Sequence, residues 1–456
     1  MGRQPNDRLA MLMVEANLSA KALARAVREA GAAAGKDVSC DHTSVSRWLS
    51  GVQPRPDAAQ LLGEVLGRRL GRRVTAGDVG LTQRLSIDPA AGVSYSDSPE
   101  GAVEILADLW LADLNVLPAV VSAPTSGAAW AEASLAWLVR PGRDEFGRRS
   151  GGNAVGLADI EALRATTEAF AAMDNRFGGR HARHALVQFL RSDLTPLLAG
   201  RYSEPVGRQL FAAAGEATLL AAWMSYDAGS HGLAQRYFIQ GLRLAQAADD
   251  VLLAGSILDA MSHQATFLGR YREAATLARA AHTGAQGVAT VTLQAHFAAM
   301  EARALAGTGD RPATERVLAE LIRLFESRRP DEGPAWMAYF DEAELSAELA
   351  HCYRDLGCAE EAVRYAEQAL AGAGASQRSD FFVTMVLAAG QLAHGDVDQS
   401  CDTARQAVTL GSTVKSARAA EYLRQFRKNL SLHGTCDAVV TLAADVQDSP
   451  LWLAAV

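Results

Sequence analysis

The chain has 456 residues, a length typical of about three domains of roughly 150 residues each, and 49% of its residues are apolar, which allows a large buried core. Five scattered cysteines without a Cys-x-x-Cys motif favour a reducing cytoplasm. The charged N-terminus does not read as a signal peptide. The most apolar run, 381–395, is shorter than the about 20 residues that a bilayer requires, so we expect no membrane partner.

The charge is distributed unevenly along the chain. Residues 1–84 carry 13 Lys and Arg against 8 Asp and Glu, a net charge of +5. Because the whole chain has a net charge of −8, the remaining residues carry −13. A basic N-terminal segment on an acidic protein predicts that a polyanion contacts this segment only.

Apolar spacing and capping residues predict four short helices in the basic segment. Their expected bounds are 7–15, 20 to about 30, 42–49 and 58 to about 70. Ser19, Asp41 and Asp57 are suitable N-caps. The Gly- and Ala-rich stretch 31–37 predicts a flexible break between the second and third helices. Gly51 followed by Pro54 and Pro56 predicts a sharp end to the third helix.

The third predicted helix has one apolar face and one small, polar face. The apolar face has i, i+3, i+4 spacing and consists of Val45, Trp48 and Leu49. The residues mainly outside it are His42, Thr43, Ser46 and Arg47. A helix that enters the DNA major groove needs small residues at its N-terminal end and donors such as Arg that reach base edges. The spacing alone fits a small helical bundle with a solvated Arg equally well. The stop motif, the cap pattern and the local positive charge together favour base recognition.

Residues 8–70 resemble a lambda-repressor-type (XRE-like) helix-turn-helix domain. The resemblance is carried by Leu18-Ser19, by TSVSRWLSG at residues 43–51 and by the Pro-x-Pro that follows. It implies base contacts by His42, Thr43, Ser46 and Arg47. It implies phosphate contacts by Ser19, Lys21, Gln53 and Arg55. The sequence departs from the family at residues 31–40, which lengthen the usually tight connection between helices two and three.

The sequence predicts a linker at residues 85–99, rich in Ser, Pro, Gly and Asp, and helices almost throughout residues 100–456. We expect 100–214 to form the N-terminal part of a superhelix and 215–456 to form its repeats. Each repeat has a turn glycine, at Gly229, Gly269, Gly309, Gly357 and Gly395. Five residues later comes a small side chain, at Ala234, Ala274, Thr314, Ala362 and Ser400. Small residues at this position allow two helices to approach closely.

The repeats resemble tetratricopeptide repeats, although their spacing is longer than the family period of 34. A generic armadillo-like or irregular helical array is the alternative. Stacked helix pairs leave a long concave surface. The resemblance implies that this groove is lined by Trp223, His263, Arg303 and His351. Such residues suit a peptide or small anionic ligand, unless they are structural.

Residues 155–285 resemble actinobacterial regulators that join such a basic domain to helical repeats and are associated with development and secondary metabolism. We therefore expect an all-α, nucleoid-associated transcriptional regulator that binds an inverted repeat in double-stranded DNA as a homodimer. Its repeats would serve dimerisation and the sensing of a peptide or small-molecule effector. The motifs indicate neither an enzyme nor a cofactor, metal or catalytic site. A repeat-based interaction scaffold whose N-terminal domain does not bind DNA is the second hypothesis.

Overall fold

A computed structural model describes residues 5–36, 38–72, 74, 78–80, 87–139, 153–329, 335–372 and 376–455. The chain divides into two compact units, Met1–Ser86 (the head) and Ile87–Val456 (the body). The fold is all-α, as predicted, and the described residues form no strand beyond an isolated bridge between Ala154 and Arg201. None of the helices in the described part of the chain combines the length and apolar character needed to cross a membrane.

The head contains four helices: α1 (Asp7–Glu15), α2 (Ala20–Ala33), α3 (His42–Leu49) and α4 (Pro56–Leu70). The body contains nineteen in the described ranges: α5 (Pro99–Leu114), α6 (Pro118–Val121), α7 (Gly127–Val139), α8 (Leu157–Phe177), α9 (Arg183–Phe189), α10 (Thr195–Leu198), α11 (Glu204–Asp227), α12 (His231–Ala247), α13 (Val251–Phe267), α14 (Tyr271–Gly284), α15 (Val291–Gly307), α16 (Arg311–Ser327), α17 (Glu342–Asp355), α18 (Ala359–Ala371), α19 (Gln377–His394), α20 (Val397–Leu410), α21 (Ala417–Leu430), α22 (Asp437–Val446) and α23 (Pro450–Ala454).

The bounds predicted for α1 and α3 are confirmed, whereas α2 and α4 differ. The helix α2 does not stop before the glycine at position 31 but continues through it to Ala33. A Schellman motif ends the helix. In this motif Gly35 has a φ of +68°, and the Lys36 N–H donates to the Gly31 carbonyl. The first three residues of the predicted flexible break, 31–33, are therefore helical. The connection from α2 to α3 consists of residues 34–41.

The start of α4 also differs from the prediction. Pro56 occupies the first turn, where a missing N–H costs nothing, and Arg55 precedes it without a side-chain cap. Asp57 therefore lies inside the helix rather than at its cap. Its carboxylate accepts a hydrogen bond from the Lys36 ammonium at 2.6 Å. This exposed contact joins the start of α4 to the beginning of the α2–α3 connection.

The segment predicted as a linker is part of the body from residue 87 onward. Three buried side chains of α12 donate hydrogen bonds to its backbone carbonyls. Arg236 Nη2 donates to Pro89 O at 2.7 Å, Gln240 Nε2 to Ser94 O at 2.9 Å and Arg243 Nε to Ser96 O at 3.0 Å. The composition predicted a linker, but these polar side chains of α12 hold its backbone on the body.

The repeat region consists of helix pairs with the predicted turns. The pairs are α11–α12, α13–α14, α15–α16, α17–α18 and α19–α20. Every predicted turn glycine has a positive φ, between +71° at Gly269 and +102° at Gly395, a conformation that other residues resist. The small residues five positions later are fully buried, and the Ser400 hydroxyl donates to Ala388 O at 2.7 Å across one pair. The predicted positions of the turn glycines and of the small side chains that follow them are confirmed.

The odd-numbered helices from α11 to α21 pack against one another in sequence and form an inner layer. The last of them, α21, returns to the first. The Ser416 hydroxyl, at the N-cap of α21, donates to Asp227 Oδ1 at the end of α11 at 2.8 Å, and the preceding Lys415 N donates to Phe177 O at the end of α8 at 2.7 Å. The C-terminal inner helix therefore meets the end of α11, and both helices contribute to the centre of the body.

Candidate nucleic-acid interface and central cluster

The helix α3 is held rigidly by its cap and its core face. Asp41 accepts hydrogen bonds from the backbone N–H and the hydroxyl of Ser44, both at 2.8 Å. Hydrogen bonds from Thr43 and Ser44 hold the pKa of the Asp41 carboxyl well below its usual range. On the opposite face, Val45 and Trp48 are buried in the core of the head. The cap and the core together define which side of α3 faces outward.

All four predicted base-contact residues lie on that outward side and are exposed: His42, Thr43, Ser46 and Arg47. Two of their hydroxyl hydrogens are already used, because Thr43 Oγ1 donates to Asp41 at 2.7 Å and Ser46 Oγ donates to His42 O at 3.0 Å. Their oxygens retain lone pairs that can accept. The guanidinium of Arg47 forms no hydrogen bond or ion pair with any described residue, although the Arg47 carbonyl accepts from the Ser50 hydroxyl at 2.8 Å.

The four predicted phosphate-contact residues, Ser19, Lys21, Gln53 and Arg55, are also exposed. The hydroxyl of Ser19 caps α2 by accepting from Ala22 N at 3.3 Å. Several other cations of the head have internal partners, although Arg68 is also exposed and its side chain has no partner among the described residues. Arg28 donates to Cys40 O at 2.6 Å and Arg72 pairs with Glu15 at 2.8 Å. The side chains of Lys21 and Arg55, like that of Arg47, form no hydrogen bond or ion pair with the described residues.

The predicted groove residues lie in the inner layer, but only two of them contact each other directly. The ring of Trp223 lies 5.3 Å from that of His263, and His263 Nδ1 lies 3.1 Å from the Tyr226 hydroxyl. Arg303 is buried and pairs with Glu348 at 3.2 Å. His351 is buried, with its ring 6.0 Å from that of Tyr422.

The sequence prediction missed the residues that connect these positions. Tyr226 and Arg354 follow Trp223 and His351 by three residues, a helical spacing that could have revealed them. Arg418 and Tyr422 lie on α21, beyond the last repeat that the turn glycines mark. Their contribution depends on the return of α21 to α11, for which the sequence offers no local signal.

Arg418 is enclosed by aromatic rings at the centre of the body. Its guanidinium carbon lies 4.7 Å from the ring centroids of both Tyr226 and Phe382, and 5.8 Å from that of Phe267. Such cation–π contacts strengthen when the cation is desolvated. Arg354 lies 5.4 Å from the Tyr422 ring. We call Arg303, Arg354 and Arg418 the central cation cluster.

The electrostatics of the centre are positive. Burial first, and then the charges of the central cation cluster, hold the pKa of His351 well below its usual value. Burial alone would raise the pKa of Tyr422, but the three guanidiniums together hold it below its ordinary value. A half-buried phenol whose pKa falls indicates that cations dominate its surroundings.

A second polar group lies between α13, α15 and α17. His296 Nδ1 lies 2.9 Å from Asp259, and its Nε2 lies 3.0 Å from the Tyr339 hydroxyl. Burial opposes the charge on His296, yet Asp259 and Glu348 raise its pKa above the usual value. Burial and Glu348 raise the pKa of Glu344 to about 7. The described residues contain no group of three or more His, Cys, Asp or Glu arranged to hold a metal ion.

The fold and these two sites define the class: an all-α protein with a compact basic head and a body of stacked helix pairs around a polar centre. In comparisons with known proteins, the family model of the SP15 N-terminal domain matches residues 9–82, which correspond to the helices of the head. No curated protein matches the chain significantly. The resemblance of the head to lambda-repressor-type domains therefore stays a prediction.

Proposed function

We propose that this chain is a sequence-specific DNA-binding transcriptional regulator whose head inserts the N-terminal part of α3 into the major groove. The observation that carries the proposal is the division of α3 into two faces. Val45 and Trp48 anchor the helix, while His42, Thr43, Ser46 and Arg47 are exposed on the one domain with a net positive charge. An exposed, uncommitted Arg beside small residues suits a guanine edge.

The hydroxyl geometry adds a sequence preference to the proposal. Because the hydroxyls of the exposed Thr43 and Ser46 already donate within the head, their oxygens remain available as acceptors. Acceptors pair with the amino groups of adenine or cytosine, and Arg47 pairs with guanine. Lys21 and Arg55 would position the head on phosphates without reading bases.

One short helix reads only a few base pairs, so we propose that two copies bind an inverted repeat as a homodimer. In this proposal the body supports dimerisation and senses a partner or effector in its inner layer. Control of development or secondary metabolism comes from the resemblance to actinobacterial regulators. It forms part of the same proposal.

Selection of bound sequences from a random DNA pool, followed by fluorescence-anisotropy titration of the full chain, tests the proposal. Arg47→Ala should weaken binding to the selected site by about 1–3 kcal/mol and relax preference at one position. Lys21→Ala should weaken binding to all sequences evenly and reduce the salt dependence. Arg364→Ala, an exposed residue of α18, is the control for charge loss. Wild-type affinity and sequence preference in Arg47→Ala would refute the assignment.

A protein-interaction scaffold is the second candidate. It is favoured by α1, which exposes 71% of Met11 and 81% of Val14 on the surface of the head. Exposed apolar side chains of this kind suit a protein contact better than a phosphate backbone. Absence of any salt-dependent DNA binding by the full chain would favour this candidate over the regulator.

A further inference from the structure

The central cation cluster contains donors that no described group satisfies. Arg303 Nε and Arg418 Nε are buried without a hydrogen-bond partner, and His351 Nδ1, a polar atom outside the cluster, also has none. All three residues are more than nine-tenths buried. Folding has removed these atoms from water without replacing their hydrogen bonds, which is costly unless another group completes them.

The internal carboxylates occupy only one edge of each guanidinium. Glu348 contacts Arg303 through Nη1, and Asp355 accepts from Arg354 through Nε and Nη2. Among the described residues, Arg418 has a single ion pair, and it is distant: its Nη1 lies 4.0 Å from Asp227 Oδ1, an oxygen that already accepts from Arg378 and Ser416. Donor capacity therefore remains at the centre after every internal pair is formed.

Tyr422 lies beside this cluster, 5.4 Å from the Arg354 guanidinium carbon. Its ring is half-buried, and its hydroxyl forms a hydrogen bond with none of the described residues. Phe267 and Phe382 pack around the ring, with centroids 6.5 and 5.0 Å away. The site thus combines cationic donors, one free hydroxyl and flat apolar surfaces.

We propose that the central cation cluster and the Tyr422 hydroxyl bind the carboxylate or phosphate group of a small organic anion. Planar guanidiniums suit both groups, because their N–H donors match pairs of anionic oxygens. The aromatic rings beside the cluster would contact the organic part. This inference gives a chemical class to the effector of the proposed regulator. Its regulatory meaning rests on that function, whereas the binding step does not.

Isothermal titration calorimetry of the full chain tests the site with phenyl phosphate, benzoate, inorganic phosphate and the neutral amide benzamide. We expect binding of phenyl phosphate or benzoate and none of benzamide. Tyr422→Phe should lower the affinity for the bound anion about tenfold, since it removes one hydrogen bond to a charged group. Arg354→Gln should weaken it further. Tyr353→Phe and Arg364→Gln are the matched controls, because Tyr353 stacks on Tyr365 and Arg364 is exposed.

The outcomes separate the two proposals. The site is supported if Tyr422→Phe weakens anion binding and Tyr353→Phe does not. This result supports the site even if the head binds no DNA. Equal binding of benzamide, no binding of either organic anion, or wild-type affinity in Tyr422→Phe would overturn it. Inorganic phosphate that binds as tightly as phenyl phosphate would overturn the organic part. Loss of folding in Arg354→Gln, seen by circular dichroism, leaves the decision to Tyr422→Phe.

Discussion

Arg378 joins two buried carboxylates, and its removal is the sharpest test of the interior of the body. Its Nη1 lies 3.0 Å from Asp174 Oδ2, and its Nη2 lies 3.0 Å from Asp227 Oδ1. The exposed fraction of the side chain is 13%, against 6% for Asp174 and 0% for Asp227. Breaking a buried pair leaves an uncompensated charge, which costs about 3–5 kcal/mol. We expect Arg378→Met to lower the free energy of unfolding by this amount at pH values near 8.

The loss should depend on pH in a defined direction. Without Arg378, Asp227 keeps hydrogen bonds from Gly179 N and the Ser416 hydroxyl, both at 2.8 Å, whereas Asp174 keeps no hydrogen-bond partner for its carboxylate among the described residues. Burial already raises the pKa of Asp174, and loss of the cation raises it further. A folded-state pKa above the unfolded value gives stability at low pH that is lost as the pH rises. The destabilisation should therefore shrink in acid.

Urea unfolding followed by circular dichroism at several pH values measures this effect. Arg424→Met is the control, because Arg424 is 44% exposed and pairs with Glu421 on the same helix. Such surface pairs contribute about 0–1 kcal/mol. Asp174→Asn in the Arg378→Met background should recover part of the loss by removing the unpaired charge. Equal stability of Arg378→Met and Arg424→Met at every pH would refute the reasoning.

Three further predictions concern the inner layer, the cap of α3 and a repeat turn. Burial and Glu348 raise the pKa of Glu344 to about 7, so the contribution of Glu344 to stability is lost as the pH rises through that value. Glu344→Gln should therefore increase the free energy of unfolding at pH 8 by about 3 kcal/mol at most. Urea unfolding measures this gain. Asp41 has a lowered pKa, so its contribution is present at neutral pH and lost in acid. Asp41→Ala should accelerate hydrogen exchange across residues 42–50 at pH 7, and Asp41→Asn, which retains an accepting oxygen, should do so less. Gly395 has a φ of +102° and open space around it, so Gly395→Ala should cost about 1–2 kcal/mol through backbone strain alone. In the same denaturation assay Gly434→Ala should be neutral, because Gly434 has a φ of −59°.

The sequence by itself determined the local structure of this protein. The periodicity of apolar residues and the caps located α1 and α3, because both signals act within one or two helical turns. The spacing of Gly229, Gly269, Gly309, Gly357 and Gly395 defined the helix pairs, since each turn requires a positive φ. The outward residues of α3 followed from the same periodicity.

Tertiary structure alone decided the rest. The segment 87–98 has the composition of a linker, and only the buried donors of α12 show that it packs on the body. Arg418 and Tyr422 are separated from Tyr226 by nearly 200 residues in the chain, and they meet it because α21 returns to α11. Local patterns specify turns and helix faces. The return of α21 to α11, however, depends on how every helix pair between them packs on the next. The central cation cluster is therefore a property of the folded body.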